Sequence, residues 1–300
     1  MNTARFGHGF EIALLLVLAC AWAASYTLVK IAVATIPPLT LTTARAGAAA
    51  ALLMVIMHFR GVKFPSDPKT WGRLMIQGSL NTVLPFSMIA WAMQSVDASL
   101  ATILNSTTPI FAFLLTVVVT RHEHVTGRKL IGVLIGMLGI CLIVGVEALQ
   151  GIGREFAAQL ALVLAAVCYA CAVIMGTKLT SVNPQATAAG TMLCGTAMLV
   201  PFCLVFEQPW TARPSAASLA AALFLSVFST ALAYVIYFRL IRTLGSVGTT
   251  AQAYIRVPIG VMLGVVAFGE TLGTTAWIGL ACVVIGVAAM TIPERKTIQK

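Results

Sequence analysis

The sequence predicts an all-α polytopic membrane protein with ten transmembrane helices, arranged as two inverted five-helix repeats around a central cavity. Of the 300 residues, 59% are hydrophobic and only 9% are charged, whereas about one quarter of a soluble domain is charged. Apolar segments of about 20 residues recur along the chain, and each is long enough to cross a hydrocarbon core of about 30 Å. Two distant parts of the chain also resemble each other, which indicates an internal repeat.

Ten segments have the length and composition of transmembrane spans. They comprise residues 11–33, 39–59, 70–94, 98–119, 128–147, 156–177, 185–206, 216–238, 246–268 and 272–292. The connections between them are short, so that no soluble catalytic or binding domain fits between two spans.

The distribution of Lys and Arg predicts the orientation in the membrane. Fourteen of these residues lie on the side of the N-terminus, and two, Arg154 and Arg213, lie on the other side. By the positive-inside rule both termini face the cytoplasm, and we expect a multi-pass protein of the bacterial inner (plasma) membrane, in contact with lipid. The net charge of +10 is scattered over loop ends, and this excludes a nucleic-acid surface, which needs one basic face.

Residues 103–144 and 253–292 are alike. The matched pairs are Pro109 with Pro258, Glu123 with Glu270, Gly132 with Gly279, and Gly139 with Gly286. The matches predict two halves, 1–148 and 149–300, with five spans each. Because five is odd, the second half enters the membrane from the opposite side, and inverted repeats of this kind are typical of secondary transporters.

Several of these residues carry a resemblance to a known family. They are Trp22–Ser25 with Lys30 in span 1, Arg45 in span 2, Pro109 with Glu123, and Pro258 with Glu270 and the Gly279/Gly286 pair. Over its whole length the chain resembles the ten-helix EamA-type transporters of the drug/metabolite transporter superfamily, and it looks most similar to the YddG-type amino-acid exporters. The resemblance implies an exporter of small metabolites, amino acids foremost (aromatic and apolar ones included), that works by alternating access without a cofactor.

Arg256 is a charge near the middle of span 9, where it costs roughly 2.5–3.5 kcal/mol on insertion scales. All nine acidic residues fall in loops or at predicted span ends, so Arg256 has no obvious buried carboxylate partner. A guanidinium suits a carboxylate that arrives with the substrate. The alternative is a structural Arg256 bonded to backbone carbonyls of a neighbouring span, and both interpretations stay open at this point.

Polar and aromatic residues within the spans are the candidates for lining the cavity. With Arg256, they are Trp22, Ser25, Tyr26, Asn81, Asn105, Ser106, Tyr169, Tyr234 and Gln252. Pro85, Pro109 and Pro258 are predicted helix breaks, and Pro109 leaves the carbonyl of Asn105 without its usual helical donor. The alternatives are hydroxyl groups that bridge helices and aromatic residues near span ends, such as Tyr237, that anchor the protein at the membrane surface.

Three charged residues are candidates for gates. Lys30 and Arg45 lie toward the non-cytoplasmic ends of their spans, where they either extend to the interface or help to close the cavity, and Glu270 lies at the end of span 9. The spans contain no Asp, Glu or His at depth. Coupling to protons through a gate residue and facilitated diffusion therefore both remain open.

Other functions find little support. No His lies in the span interiors near the pair Cys168/Cys171, which disfavours a metal site. The spans also contain no Ser/His or paired-Asp constellation that would indicate catalytic residues. An intramembrane enzyme is thus a distant alternative.

An exchanger of phosphorylated metabolites or nucleotide sugars needs several cavity cations, and a transporter of cationic drugs needs a buried carboxylate. Glycines in spans 5 and 10 predict close helix packing, within the chain or in a homodimer.

Overall fold

The computed structural model describes residues 8–117, 127–148, 154–250 and 252–291. Within these ranges every regular element is a helix and there is no strand, as the fold class required. Six helical stretches are long and apolar enough to cross a membrane: Gly9–Ala32, Pro38–Phe59, Ala98–Leu115, Glu155–Thr177, Pro184–Phe206 and Ala216–Leu244. Shorter apolar helices cover Leu130–Gly139, Ile255–Phe268 and Thr274–Gly286.

Thirteen α-helices make up the ten predicted spans in the described residues. In the first half they are α1 (His8–Ala32), α2 (Pro38–Phe59), α3 (Pro68–Gly78), α4 (Leu84–Ala92), α5 (Ala98–Asn105), α6 (Thr108–Leu115) and α7 (Gly127–Ala148). In the second half they are α8 (Arg154–Thr177), α9 (Pro184–Phe206), α10 (Ala216–Ser226), α11 (Ala233–Thr250), α12 (Gln252–Phe268) and α13 (Thr274–Thr291).

One helix boundary differs from the boundary of the predicted span. Span 8 was expected to end at residue 238 and span 9 to begin at 246, but α11 continues to Thr250 and α12 begins at Gln252. The reason is that residues 239–244, RLIRTL, are polar at several positions but favour helix. A drop in hydropathy marks the edge of a membrane span and not the end of a helix.

Helix starts and interruptions follow from local sequence. Asp67, Asn183 and Ser215 cap α3, α9 and α10, each accepting a hydrogen bond from a backbone N–H of the first turn. Spans 3 and 8 each contain one π-helical segment, Ser79–Val83 between α3 and α4 and Val227–Leu232 between α10 and α11. Such insertions are frequent at functional sites.

The glycine-rich spans pack on each other, α7 against α13. A Cβ at Gly139 would lie 2.7 Å from the carbonyl oxygen of Gly279, and one at Gly286 would lie 2.5 Å from that of Gly132. These glycines therefore permit a close helix contact within the chain, and a homodimer surface stays a prediction.

The two halves interlock. Helix α2 packs on α9, α1 on α12, and α4 on α8, so that the interior of the bundle lies between helices of both halves. The predicted division at residue 148 borders residues 149–153, which lie outside the described ranges, and it stays a prediction. Glu123 also lies outside the described residues.

Candidate substrate-binding cavity

A cavity opens in the middle of the bundle between the two halves. It contains about 730 Å³ of space free of protein atoms, its open mouth included. The residues that line it are Trp22, Ser25, Tyr26, Val29, Arg45, Asn81, Phe86, Ile89, Thr108, Pro109, Tyr169, Val173, Tyr234, Tyr237, Thr249, Gln252 and Arg256.

Most of the candidates from the sequence lie on this lining. Eight of the ten cavity candidates do so, together with Pro109 and the gate candidate Arg45. The other two, Asn105 and Ser106, are buried and contact Arg256. Pro85 is buried beside Phe86, whereas Pro258 is exposed. The helix break predicted at Pro258 is wrong, because α12 continues through this residue from Gln252 to Phe268. Lys30 and Glu270 lie at one end of the bundle, described below.

The sequence analysis missed Tyr237 and several apolar lining residues. Val29, Phe86, Ile89 and Val173 gave no signal because an apolar side chain in a span looks the same whether it faces lipid or a cavity. Tyr237 was set aside as an interfacial residue, but it is 3% exposed and its ring lies 5.4 Å from that of Trp22. Since α11 continues well beyond this position, Tyr237 does not lie at a helix end.

Aromatic rings form one wall of the cavity. The ring centroid of Tyr234 lies 6.2 Å from that of Trp22 and 6.3 Å from that of Phe86, both edge-on. Such pairs are worth roughly 0.5–1.5 kcal/mol beyond the area they bury. The wall is therefore largely apolar, and it suits the hydrocarbon part of a small molecule.

A carbonyl in span 3 is bonded across the cavity. Pro85 lacks the N–H that would close an α-helical bond to the carbonyl of Asn81, four residues earlier. The hydroxyl of Tyr234 donates to this oxygen at 2.6 Å. A side chain of the second half thus supports the π-helical segment of the first half.

Span 4 is broken at the corresponding spacing, because α5 ends at Asn105 and α6 begins at Thr108, just before Pro109. The carbonyl of Asn105 accepts a hydrogen bond from the hydroxyl of Thr108 at 2.7 Å and from Nη2 of Arg256 at 3.2 Å. Nη2 also lies 3.3 Å from the hydroxyl oxygen of Ser106. Arg256 therefore makes the backbone contact that the structural interpretation required.

Hydroxyl groups around this break bond to their own chain. Ser106 donates to the carbonyl of Thr102 at 2.7 Å, and Thr107 donates to that of Leu104 at 2.6 Å. Both hydroxyls thus satisfy local carbonyls, and that of Ser106 also accepts from Arg256 and so connects the break to α12, as the alternative interpretation expected.

Arg256 also lines the cavity. The residue is 5% exposed, it lines the cavity, and its guanidinium carbon lies 5.9 Å from the ring centroid of Tyr26. Among the described residues, none of the lining side chains is acidic. The amide atoms Nδ2 of Asn81 and Oε1 of Gln252 are buried without a hydrogen-bond partner in the described part of the chain, and they add polar groups to the same lining.

Arg45 also belongs to the cavity. It is 7% exposed, its Nε donates to the hydroxyl of Thr230 at 2.6 Å, and its guanidinium carbon lies 3.9 Å from the centroid of Phe86. The side chain thus does not extend to the membrane interface, one of the two alternatives for this residue. The cavity therefore carries two guanidinium groups where the sequence indicated one.

The far end of the bundle, where α1 ends and α2 begins, is closed by contacts between helices. Glu270 accepts the backbone N–H groups of Ala98 and Ser99 at 2.8 and 2.9 Å. Glu207 accepts those of Leu39 and Thr40 at 2.9 and 2.7 Å. Each carboxylate of the second half thus caps a helix of the first half, α5 or α2, and balances its positive dipole end.

Lys30 completes the closure of the far end. Its Nζ donates to the carbonyl of Val96 at 2.6 Å and lies 3.7 Å from Asp97. Gly264 leaves the space that the carboxylate of Glu270 and the hydroxyl of Ser99 occupy, since an added Cβ there would clash with both. At the opposite, near end, Glu11 of α1 pairs with Arg239 of α11 at 2.7 Å.

The sequence profile of the EamA-like transporter family matches this chain twice, over residues 9–145 and 156–292. The chain belongs to the EamA-like transporter family. The repeated match covers nearly all of the chain, and the family consists of polytopic membrane transporters. This EamA-like transporter is therefore a multi-pass membrane protein, and the expectations of transport and of transmembrane helices are confirmed.

Curated relatives of this EamA-like transporter are also named as transporters. The uncharacterized inner membrane transporter YedA of Escherichia coli (strain K12) is 28% identical over 90% of this chain and 87% of its own length. An uncharacterized transporter of Archaeoglobus fulgidus is 27% identical over 79% and 82%. The uncharacterized transporter YoaV of Bacillus subtilis (strain 168) is 22% identical over 92% and 95%.

One solved crystal structure, described only as that of a protein, has the same fold. Its TM-score against this chain is 0.68 at 19% sequence identity, and the match covers 95% of this chain and 97% of that chain. The names of these relatives state transport but no substrate.

Proposed function

We propose that this EamA-like transporter exports small metabolites that carry a carboxylate, amino acids foremost, by alternating access between its two halves. The observation that carries the proposal is Arg256, a buried guanidinium on the lining of an aromatic cavity in which no described lining side chain is acidic. A carboxylate is the natural partner of such a group. No cofactor is needed, and we expect cytoplasmic termini in a bacterial inner membrane.

The lining supports an amino-acid-like ligand. The carboxylate of the ligand binds Arg256, and its amino group donates to hydroxyl and amide oxygens such as Oε1 of Gln252. The side chain of the ligand packs on the wall formed by Trp22, Phe86 and Tyr234. Cationic drugs, an alternative of the same fold, are disfavoured because two guanidiniums repel a cation in a site of low dielectric constant.

The closed far end supports alternating access. Glu207 and Glu270 join helices of opposite halves through hydrogen bonds to helix N-termini, contacts that break together when the halves rock apart. Inverted-repeat transporters hold the substrate between the halves and open to one side at a time. Whether a proton drives the cycle is decided by measuring transport with and without a pH gradient.

The test is uptake into proteoliposomes with a panel of labelled amino acids, with and without a pH gradient. We expect uptake of at least one amino acid and a fall of at least about tenfold in Arg256→Gln, the loss expected for one charge-assisted contact. Lys63→Gln, which removes an exposed cation outside the cavity, is the matched control, and monodisperse protein in detergent shows that each variant folds.

Two outcomes contradict the proposal. One is unchanged uptake and affinity in a folded Arg256→Gln variant, which makes Arg256 purely structural. The other is no uptake of any amino acid together with uptake of a phosphate ester or a drug cation, which favours the alternative substrates of this fold.

A further inference from the structure

We propose that Arg45 is a second anion-binding group of the cavity, so that the preferred substrates carry two separate carboxylates, as dicarboxylates and acidic amino acids do. The inference rests on the proposed function, since it assigns the first carboxylate to Arg256. It adds the chemical class of the substrate and a residue that determines specificity.

The contacts of Arg45 leave it able to bind a ligand. Nε is bonded to Thr230 and one face of the guanidinium covers the ring of Phe86. Both contacts hold the group in place without neutralising its charge, and they leave the Nη groups for the cavity that Arg45 lines. A guanidinium that is fixed by one nitrogen and one face is well placed to donate to a carboxylate.

The charge balance of the cavity calls for an anion. Two buried cations face a lining without an acidic side chain in the described residues, and an uncompensated charge inside a membrane is costly. A zwitterion with one carboxylate pairs with Arg256, leaves Arg45 uncompensated and brings an ammonium group into the same cavity. A substrate with two carboxylates neutralises both.

The two arginines are on different helices and at different backbone depths, which favours two separate anionic groups over one phosphate. Arg256 is on α12, which packs on α1 and α5, whereas Arg45 is on α2, which packs on α9, α4 and α10. At 1.5 Å of rise per residue, Arg45 lies about 10 Å and Arg256 about 18 Å from the far ends of their helices.

The experiment is competition against uptake of the labelled amino acid in proteoliposomes. The unlabelled competitors are glutamate and glutamine, aspartate and asparagine, straight-chain dicarboxylates of three to six carbons, their monocarboxylate counterparts, and glycerol phosphate. We expect each acidic competitor to inhibit at a concentration about tenfold lower than its uncharged amide, which is the size of one charge-assisted contact. The optimum in the dicarboxylate series measures the spacing of the two guanidiniums.

Variants assign the effect to Arg45. In Arg45→Gln the ratio between amide and acid should fall to about one, and Arg45→Lys should retain part of it because the charge remains. Lys63→Gln should keep the parental ratio. A ratio that does not change in folded Arg45→Gln overturns the inference, because Arg45 is then structural only.

The remaining outcomes separate this inference from the proposed function. If glutamine competes as well as glutamate while amino acids are transported, the second anion site is wrong and the proposed function stands. If glycerol phosphate competes better than every dicarboxylate, both guanidiniums bind one group and the inference fails. If no carboxylate competes and no amino acid is taken up, both proposals fail.

Discussion

The segments Asn81–Pro85 and Asn105–Pro109 have the same spacing of asparagine and proline but different structures. In each, proline removes the N–H that would bond to the asparagine carbonyl. The first segment continues as a π-helical insertion, and its carbonyl accepts the neutral hydroxyl of Tyr234. The second ends one helix and begins another, and its carbonyl accepts Thr108 and the cation Arg256.

The comparison shows how a membrane protein uses a helix break. A free backbone carbonyl inside the bilayer has to find a donor, and in both segments a donor comes from the other half of the chain. Where the donor is neutral, the contact joins two helices and has no further consequence. Where the donor is charged, the same contact fixes a guanidinium beside the cavity, so that a structural requirement and a binding group share one residue.

Arg256→Met is expected to have the largest effect on this pair. Methionine keeps an unbranched side chain but removes the charge and the donors to Asn105 and Ser106. We expect the free energy of unfolding to fall by about 1.5–3 kcal/mol, the value of hydrogen bonds to charged groups, and amino-acid uptake to fall at least about tenfold. Thermal unfolding in detergent and proteoliposome uptake measure the two losses, and an unchanged melting temperature would show that the contact at 3.2 Å contributes nothing.

Tyr234→Phe tests the neutral member of the pair. Losing one hydrogen bond inside the membrane is expected to lower stability by about 0.6 kcal/mol, and the ring contacts with Trp22 and Phe86 remain. The double variant Tyr234→Phe, Pro85→Ala restores a backbone donor for Asn81 and should recover the melting temperature. If Pro85→Ala leaves the loss in place, the spacing of asparagine and proline does not explain the bond.

Thr108→Val is expected to have the smallest effect. Valine has nearly the shape of threonine but lacks the hydroxyl that donates to Asn105 at 2.7 Å, and Arg256 still serves the same carbonyl. We expect a loss of stability below about 0.6 kcal/mol by thermal unfolding. A loss of stability larger than that of Arg256→Met would mean that Thr108, and not Arg256, is the more important donor to the carbonyl of Asn105.

Much of the fold could be predicted from the sequence, because the length and hydropathy of the spans follow from the thickness of a bilayer. Arg256, Asn105 and Pro109 could be singled out for the same reason, since polar groups and prolines are conspicuous in apolar spans. Their mutual contact could not be predicted, because it depends on how spans 4 and 9 pack.

Arg45 and Tyr237 show where sequence reasoning ended. Their positions along the spans favoured the membrane interface, but the direction of each side chain is set by neighbours distant in sequence, Phe86 and Thr230 for Arg45 and Trp22 for Tyr237. The capping of α5 and α2 by Glu270 and Glu207 likewise joins helices that only the folded bundle brings together.

The central claim is that Arg256 both completes the break at Asn105 and binds the substrate carboxylate. The double variant Arg256→Met, Pro109→Ala separates the two roles, because the alanine N–H gives Asn105 its helical donor while the guanidinium is absent. Amino-acid uptake by this variant in proteoliposomes is the decisive measurement, with thermal unfolding in parallel and Pro109→Ala as the reference. We predict that stability returns toward that of Pro109→Ala while uptake stays at least about tenfold lower, whereas uptake that recovers together with stability would contradict the account.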